Sequence, residues 1–146
     1  MELRDETAEP KSDIMIELKN VSMSFKERRI LNDVSFQVKT GETMVVIGPS
    51  GAGKSTLLRL MIGLLKPTSG RILIEGREIT RLKEAELNKI RRNMGMVFQY
   101  SALFDSMTVG ENVAFGIRQH TDMPEEKILS VIRRTLRMVG MMGREN

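Results

Sequence analysis

The chain of 146 residues has no cysteine and no tryptophan, and only one tyrosine, one histidine and four prolines. Without cysteine there can be no disulfide, no thiolate nucleophile and no thiolate metal site, and the chain suits a reducing compartment. With aromatics at 4%, core volume must come from Leu, Ile, Val and the 12 methionines. No apolar run approaches the roughly 18 residues a membrane-crossing helix needs. The opening MELRDETAEPKSD is polar and mixed in charge, without the apolar stretch of a secretory signal. A strong charge of one sign is also missing. Net charge is +4, and the local cluster Arg133, Arg134 and Arg137 has no interleaved aromatics. That excludes a dense nucleic-acid footprint and reads as a solvated basic surface.

What is present suits a folded domain: 40% hydrophobic and 29% charged residues. Residues 1–12 read as a loose leader and 13–146 as one domain. Ile14 to Leu18 reads as a strand, and Leu31 to Val38 as a second with Val34, Phe36 and Val38 on its dry face. Thr43 to Ile47 (TMVVI) is short, β-branched and apolar on both faces, as a buried parallel strand should be. Leu57, Leu58, Met61, Leu64 and Leu65 then recur at helical spacing until Lys66-Pro67 ends the run. Gly70 to Ile79 predicts a hairpin around Glu75-Gly76, and Lys83 to Arg92 a polar helix. Met94 to Phe98 predicts another short buried strand. Thr108 and Glu111 form a capping box that opens a helix with Val109, Val113 and Ile117 on one face. Asp122 is expected to cap a last helix, with Pro124 and Glu125 in its first turn and Ile128, Ile132, Leu136 and Val139 as its apolar stripe.

Between the apolar strand and the apolar helix lies Gly48-Pro49-Ser50-Gly51-Ala52-Gly53-Lys54-Ser55, which matches G-x-x-x-x-G-K-[ST]. A phosphate chain is polyanionic and must be approached closely. Glycines allow the backbone to turn successive N–H groups inward, and a helix start adds its positive dipole end. Lys54 brings a mobile charge for β- and γ-phosphates, and Ser55 a hard oxygen for Mg²⁺. Chance places such a match in a chain this long about once in two hundred cases. The strand before and the helix after it weigh further against coincidence.

VSMSF, ILNDVSF, GETMVVIGPSGAGKSTLLRLMIGLLKPTSGRILIEG and MGMVFQ together resemble the ATP-binding subunit of ABC transporters, over about nine-tenths of the chain from Ile14 onward. The segment FQYSALFDSMTVGENVAF is similar to the ATPase of Mla-type systems, which move phospholipid between two membranes and are linked to organic-solvent resistance. The resemblance implies an α/β fold: a partial P-loop NTPase (RecA-like) core, an N-terminal antiparallel β subdomain and the start of an α-helical subdomain. It implies ATP and Mg²⁺ bound by Gly48, Pro49, Ser50, Gly51, Ala52, Gly53, Lys54, Ser55 and Thr56. Phe25 stands where relatives stack an aromatic ring on adenine; the alternative is a strand residue filling the β subdomain. Gln99 stands at the Q-loop position, with Ser55 a metal contact and with Lys54 a catalytic residue; the alternative is a capped loop glutamine. Tyr100 to Met107 would contact a membrane-spanning permease subunit, unless Leu103 and Phe104 simply join the core. The resemblance also implies a homodimer of ATP-binding subunits on the cytoplasmic face of the inner membrane, and no nucleic acid.

Other family parts are not in the sequence. No acidic residue follows a second apolar strand; SALFD (Ser101 to Asp105) is too short and follows the Q-loop. Neither the LSGG signature nor a switch histidine is found, and His120 reads as a surface residue. The chain is therefore expected to be a truncated piece of a subunit that hydrolyses ATP when whole, unstable and inactive alone. A non-hydrolysing regulatory module and a non-transport ABC protein are the alternatives.

Overall fold

A computed structural model describes residues 13–98 and 102–146, so the expected leader lies outside the described residues. The chain divides into two compact units, one ending at Gly95 and the other starting at Met96.

The first unit is built on a hairpin, β1 (Ile14–Phe25) against β2 (Arg28–Lys39). β1 is longer than the apolar run implies because a bulge at Asn20 (φ 51°) rephases the strand. Leu18, Val21 and Met23 are all buried as a result. The Asn20 amide N–H donates to Ser35 Oγ (2.8 Å), and its side chain to Asp33 Oδ1 (2.8 Å), which fastens the bulge to β2. β3 (Ser69–Ile74) runs antiparallel on the other side of β1. It turns through Glu75 (φ 49°) and Gly76 (φ 78°) into β4 (Arg77–Glu78), the expected hairpin. The sheet order is β2-β1-β3-β4.

Helices α1 (Lys54–Met61) and α2 (Glu84–Arg91) add Leu57, Leu60 and Leu87 to a core that also holds Leu18, Val21, Ile72, Ile74 and Ile79. Burying each such side chain is worth about 1.5–3 kcal/mol. α1 stops sooner than the apolar spacing suggests. Gly63, at φ 69°, donates to Leu60 O (3.0 Å) while Leu64 N–H reaches back to Arg59 O (2.8 Å). This glycine closure ends the helix before Leu64, which is left 49% exposed.

Two expected strands do not form. Neither Thr43 to Ile47 nor Met94 to Phe98 pairs with a neighbour among the described residues, and Ile47 is 88% and Val97 96% exposed. A buried parallel strand needs hydrogen-bonded neighbours and covered faces. The strands present form one sheet whose pairs are all antiparallel, so they supply neither.

The second unit pairs α3 (Val109–His120) with α4 (Glu125–Met138). The capping box is in place: Thr108 Oγ1 accepts from Glu111 N–H (3.2 Å) and the Glu111 carboxylate from Thr108 N–H (2.7 Å). Asp122 does not cap α4. Pro124 stands at the N-cap with φ −57°, and its carbonyl accepts from the amides of Lys127 and Ile128. Asp122 therefore lies two residues too early to reach the first-turn amides. Ile128, Ile132 and Leu136 bury against Ala114, with Val109, Val113 and Ile117 around them. Val139 drops out of the stripe because Gly140 (φ 72°) closes the helix through Met141 N–H to Leu136 O (2.8 Å).

Candidate nucleotide-binding site

The glycine-rich loop leads directly into α1. Ala52 N–H donates to Pro49 O (3.2 Å), tightening the loop, and Gly51 and Gly53 take φ 79° and 94°. Gly53 is the N-cap of α1 and offers no side chain to cap it; the first turn carries no acidic residue. The amides of Gly51, Gly53, Lys54, Ser55 and Thr56 donate to no group among the described residues. Five donors at the positive end of a helix suit an anion with several oxygens. Lys54 Nζ bonds back to Gly48 O (2.7 Å) and Pro49 O (2.8 Å), which holds the ammonium against the same loop. Gly48, Pro49, Ser50, Gly51, Ala52 and Ser55 are exposed, whereas Gly53, Lys54 and Thr56 are half-buried.

Loop position is set from the sheet. A Cβ on Gly53 would come within 2.9 Å of Ile30 Cγ2 and 3.0 Å of Leu31 Cδ2, so the start of β2 packs directly on the start of α1. Leu31 pairs with Met23, and Phe25 follows two residues further along β1, roughly 7 Å on. Phe25 thus stands at the hairpin end that abuts the loop. Its ring is 47% exposed and takes no part in the core cluster.

The far end of α1 is fixed by a residue the sequence did not single out. Arg91 of α2 donates from Nε to Ile62 O (3.0 Å) and from its terminal nitrogens to Gly63 O (2.7 Å), Asn88 Oδ1 (3.0 Å) and Glu84. A guanidinium there complements the negative end of the helix dipole. Only Gly63, as a helix stop, could have hinted at carbonyls in need of donors.

Gln99, Tyr100 and Ser101 lie outside the described residues. Leu103 is 66% exposed, and Phe104, 46% exposed, packs on Phe115 with ring centroids 4.6 Å apart. His120 is exposed at the last position of α3. No group of three or more His, Cys, Asp or Glu side chains among the described residues could hold a metal ion. Ser55, exposed in the first turn of α1, presents a hydroxyl oxygen, a hard donor of the kind Mg²⁺ accepts.

The family model described as ABC transporter matches residues 31–145. The chain belongs to the ABC transporter family. Among curated ABC relatives, the intermembrane phospholipid transport system ATP-binding protein MlaF of Haemophilus influenzae is 43% identical over 129 residues, covering 88% of this chain and 49% of MlaF. The methionine import ATP-binding protein MetN of Geobacillus kaustophilus is 45% identical over 116 residues, covering 80% of this chain and 34% of MetN. The chain thus spans half or less of the length of these relatives. A solved structure described as the dimeric post-hydrolysis state of the ATP-binding cassette MJ0796, bound to ADP and Pi, superposes with a TM-score of 0.81. It is 35% identical, with 90% of this chain and 60% of that one covered. The ABC ATPase fold expected from the sequence is therefore the one observed, as the antiparallel sheet, loop and helices of a partial α/β P-loop core. None of the described helices is long and apolar enough to cross a membrane.

Proposed function

We propose that this chain is the phosphate-gripping part of an ABC transporter's ATP-binding subunit, which couples Mg-ATP binding and hydrolysis to the movement of phospholipid. One observation carries the proposal: the unspent amides of Gly51, Gly53, Lys54, Ser55 and Thr56 beside the Lys54 ammonium. On ATP binding, the β- and γ-phosphates would take those amides and draw Lys54 Nζ from the loop carbonyls to the phosphate oxygens. Ser55 would orient Mg²⁺, which supplies charge neutralisation of the phosphates. Phe25 would stack on the adenine, and Gln99 would contact the metal or the attacking water. Lys54 stabilises charge developing on the transferred phosphoryl group. Acceleration would come from positioning and electrostatics rather than covalent chemistry.

The phospholipid assignment leans on the MlaF likeness and on the FQYSALFDSMTVGENVAF segment. The MetN likeness supports methionine as a second candidate substrate. The subunit would act as a homodimer, peripheral at the cytoplasmic face of the membrane, with the loop ending at Met107 docked on a membrane-spanning subunit. Titration calorimetry of the complete protein with Mg-ATP tests the core of this. Lys54→Ala should abolish measurable binding while the far-ultraviolet spectrum stays unchanged. Retained binding in that variant would remove the basis of the proposal. In the reconstituted transporter, phospholipid and not methionine should raise ATP turnover; the reverse result would reassign the substrate.

A further inference from the structure

A cavity of about 580 Å³ opens between the sheet of the first unit and α2. Its apolar walls come from three elements: Met15 and Ile16 of β1, Ile74 of β3, and Ile90 of α2 with Met94 just beyond it. Ile16 and Ile74 are cross-strand partners, so one wall is a paired strand surface rather than a loop. Beside it, Glu75 N–H donates to Met15 O (2.9 Å), and the Arg77 guanidinium bonds to the Glu86 carboxylate of α2 (3.0 Å), which ties the β3–β4 hairpin to the helix. Arg91 fixes α2 to the end of α1 as well. The cavity is therefore framed by the fold itself, and a ligand entering it would have little left to order. Its volume lies within the roughly 300–1,000 Å³ of pockets that bury a small ligand.

The open edge carries charge of both signs. Glu75, Lys89 and Asn93 are exposed and line the cavity. Arg77 at the same edge is already matched by Glu86, but the Glu75 carboxylate, the Lys89 ammonium and the Asn93 side-chain amide have no partner among the described residues. Apolar walls below one unspent anion and one unspent cation complement a particular kind of molecule. We propose that the cavity binds a zwitterionic single-chain amphiphile: its acyl chain lies against Met15, Ile74 and Met94, its anionic group meets Lys89 and Asn93, and its primary ammonium meets Glu75. Methionine in the walls suits an acyl chain, because a flexible thioether side chain adapts to irregular apolar shapes. A fatty acid would leave Glu75 unmatched, and an alkylamine would leave Lys89 unmatched. The cavity shares no lining residue with the glycine-rich loop, so this is a second ligand site that goes beyond the nucleotide reading.

Titration calorimetry of the complete protein with lauroyl-lysophosphatidylethanolamine, kept below the concentration at which it forms micelles, tests the site. Binding should saturate at one ligand per chain. Lys89→Gln and Glu75→Gln should each weaken it about threefold to fivefold, the upper end for an exposed ion pair. The decanoyl homologue, two methylenes shorter, should bind about tenfold more weakly. Lauric acid should respond to Lys89→Gln and not lose affinity with Glu75→Gln, and dodecylamine should do the reverse. Met94→Trp, which fills the cavity, should remove binding while Mg-ATP affinity stays that of the parent; if its melting temperature falls, the two exposed edge variants decide the matter. Absence of saturable heat overturns the inference. So does binding that follows chain length but ignores both edge variants, which is the behaviour of unspecific detergent uptake. Mg-ATP titrated into the same samples keeps the two readings apart: intact nucleotide binding with no amphiphile binding defeats the cavity site alone, and the converse defeats only the glycine-rich loop.

Discussion

Alanine at Gly51 and alanine at Gly53 should have very different consequences, although both residues sit in one loop with positive φ, 79° and 94°. A left-handed backbone costs a residue carrying a Cβ about 1–2 kcal/mol. At Gly51 that is the whole expected loss, because the new methyl would meet no heavy atom within 4 Å. At Gly53 the methyl would lie 2.9 Å from Ile30 Cγ2, 3.0 Å from Leu31 Cδ2 and 3.3 Å from the Ile30 carbonyl oxygen. A rigid strand carries those atoms, so the helix start must shift, and overpacking of this kind adds about 1–3 kcal/mol. Gly53→Ala should then lose about 2–5 kcal/mol in total. Urea unfolding followed by far-ultraviolet circular dichroism measures both variants; the chain has no tryptophan for fluorescence. Ile30→Ala removes one of the crowding atoms, so combined with Gly53→Ala it should lose less than the two single changes together, by on the order of 1 kcal/mol. Equal losses at the two glycines, or strict additivity with Ile30→Ala, would refute the reasoning.

Phe25→Ala should weaken Mg-ATP binding by about 1–3 kcal/mol through lost base stacking, whereas Phe25→Tyr should keep it; calorimetric affinities that do not move would dismiss the ring as an adenine platform. Arg91→Met strips donors from Ile62 O and Gly63 O and should cost about 1–3 kcal/mol of stability. Arg91→Lys should recover only part of this in the same unfolding assay, since one ammonium cannot reproduce the fork. Hydrogen bonds from Lys19 and then Gln37 hold the Glu17 carboxyl below its usual range. A lowered folded value gives stability that is fully present above the ordinary carboxylate value and is lost as pH falls through the lowered folded value. The advantage of the parent over Glu17→Gln should therefore shrink between neutral and strongly acidic urea titrations, and an advantage that grew on acidification would contradict the assignment.

Local chemistry was legible where the chain decides for itself. Glu75-Gly76 prescribes its own turn, Thr108 and Glu111 satisfy each other three residues apart, and Ile128, Ile132 and Leu136 align whatever else is nearby. The conformation of the glycine-rich loop is similar, because Gly51 and Gly53 take positive φ within one short segment. Features that depend on distant partners were misread. TMVVI and MGMVF have the composition of buried strands, yet pairing needs neighbours that no local pattern guarantees. The spacing of Leu57 to Leu65 predicted too long a helix because periodicity carries no information about Gly63 turning left-handed. Asn20 hides a bulge inside a strand, so the apolar run Ile14 to Leu18 marks less than half of β1. Arg91 looked like an ordinary helix polar residue, since nothing in sequence reveals which carbonyls it meets.

Bare ribbons such as Thr43–Ile47 and Met94–Phe98 matter most before folding is complete. With Val45 75%, Ile47 88% and Val97 96% exposed, each is a short, β-prone, uncharged stretch able to zip onto a like stretch of another molecule. During synthesis, any interval in which these ribbons have emerged but stand uncovered invites such misassembly. Chaperones that hold such ribbons apart would then govern how much of the protein a cell recovers in usable form.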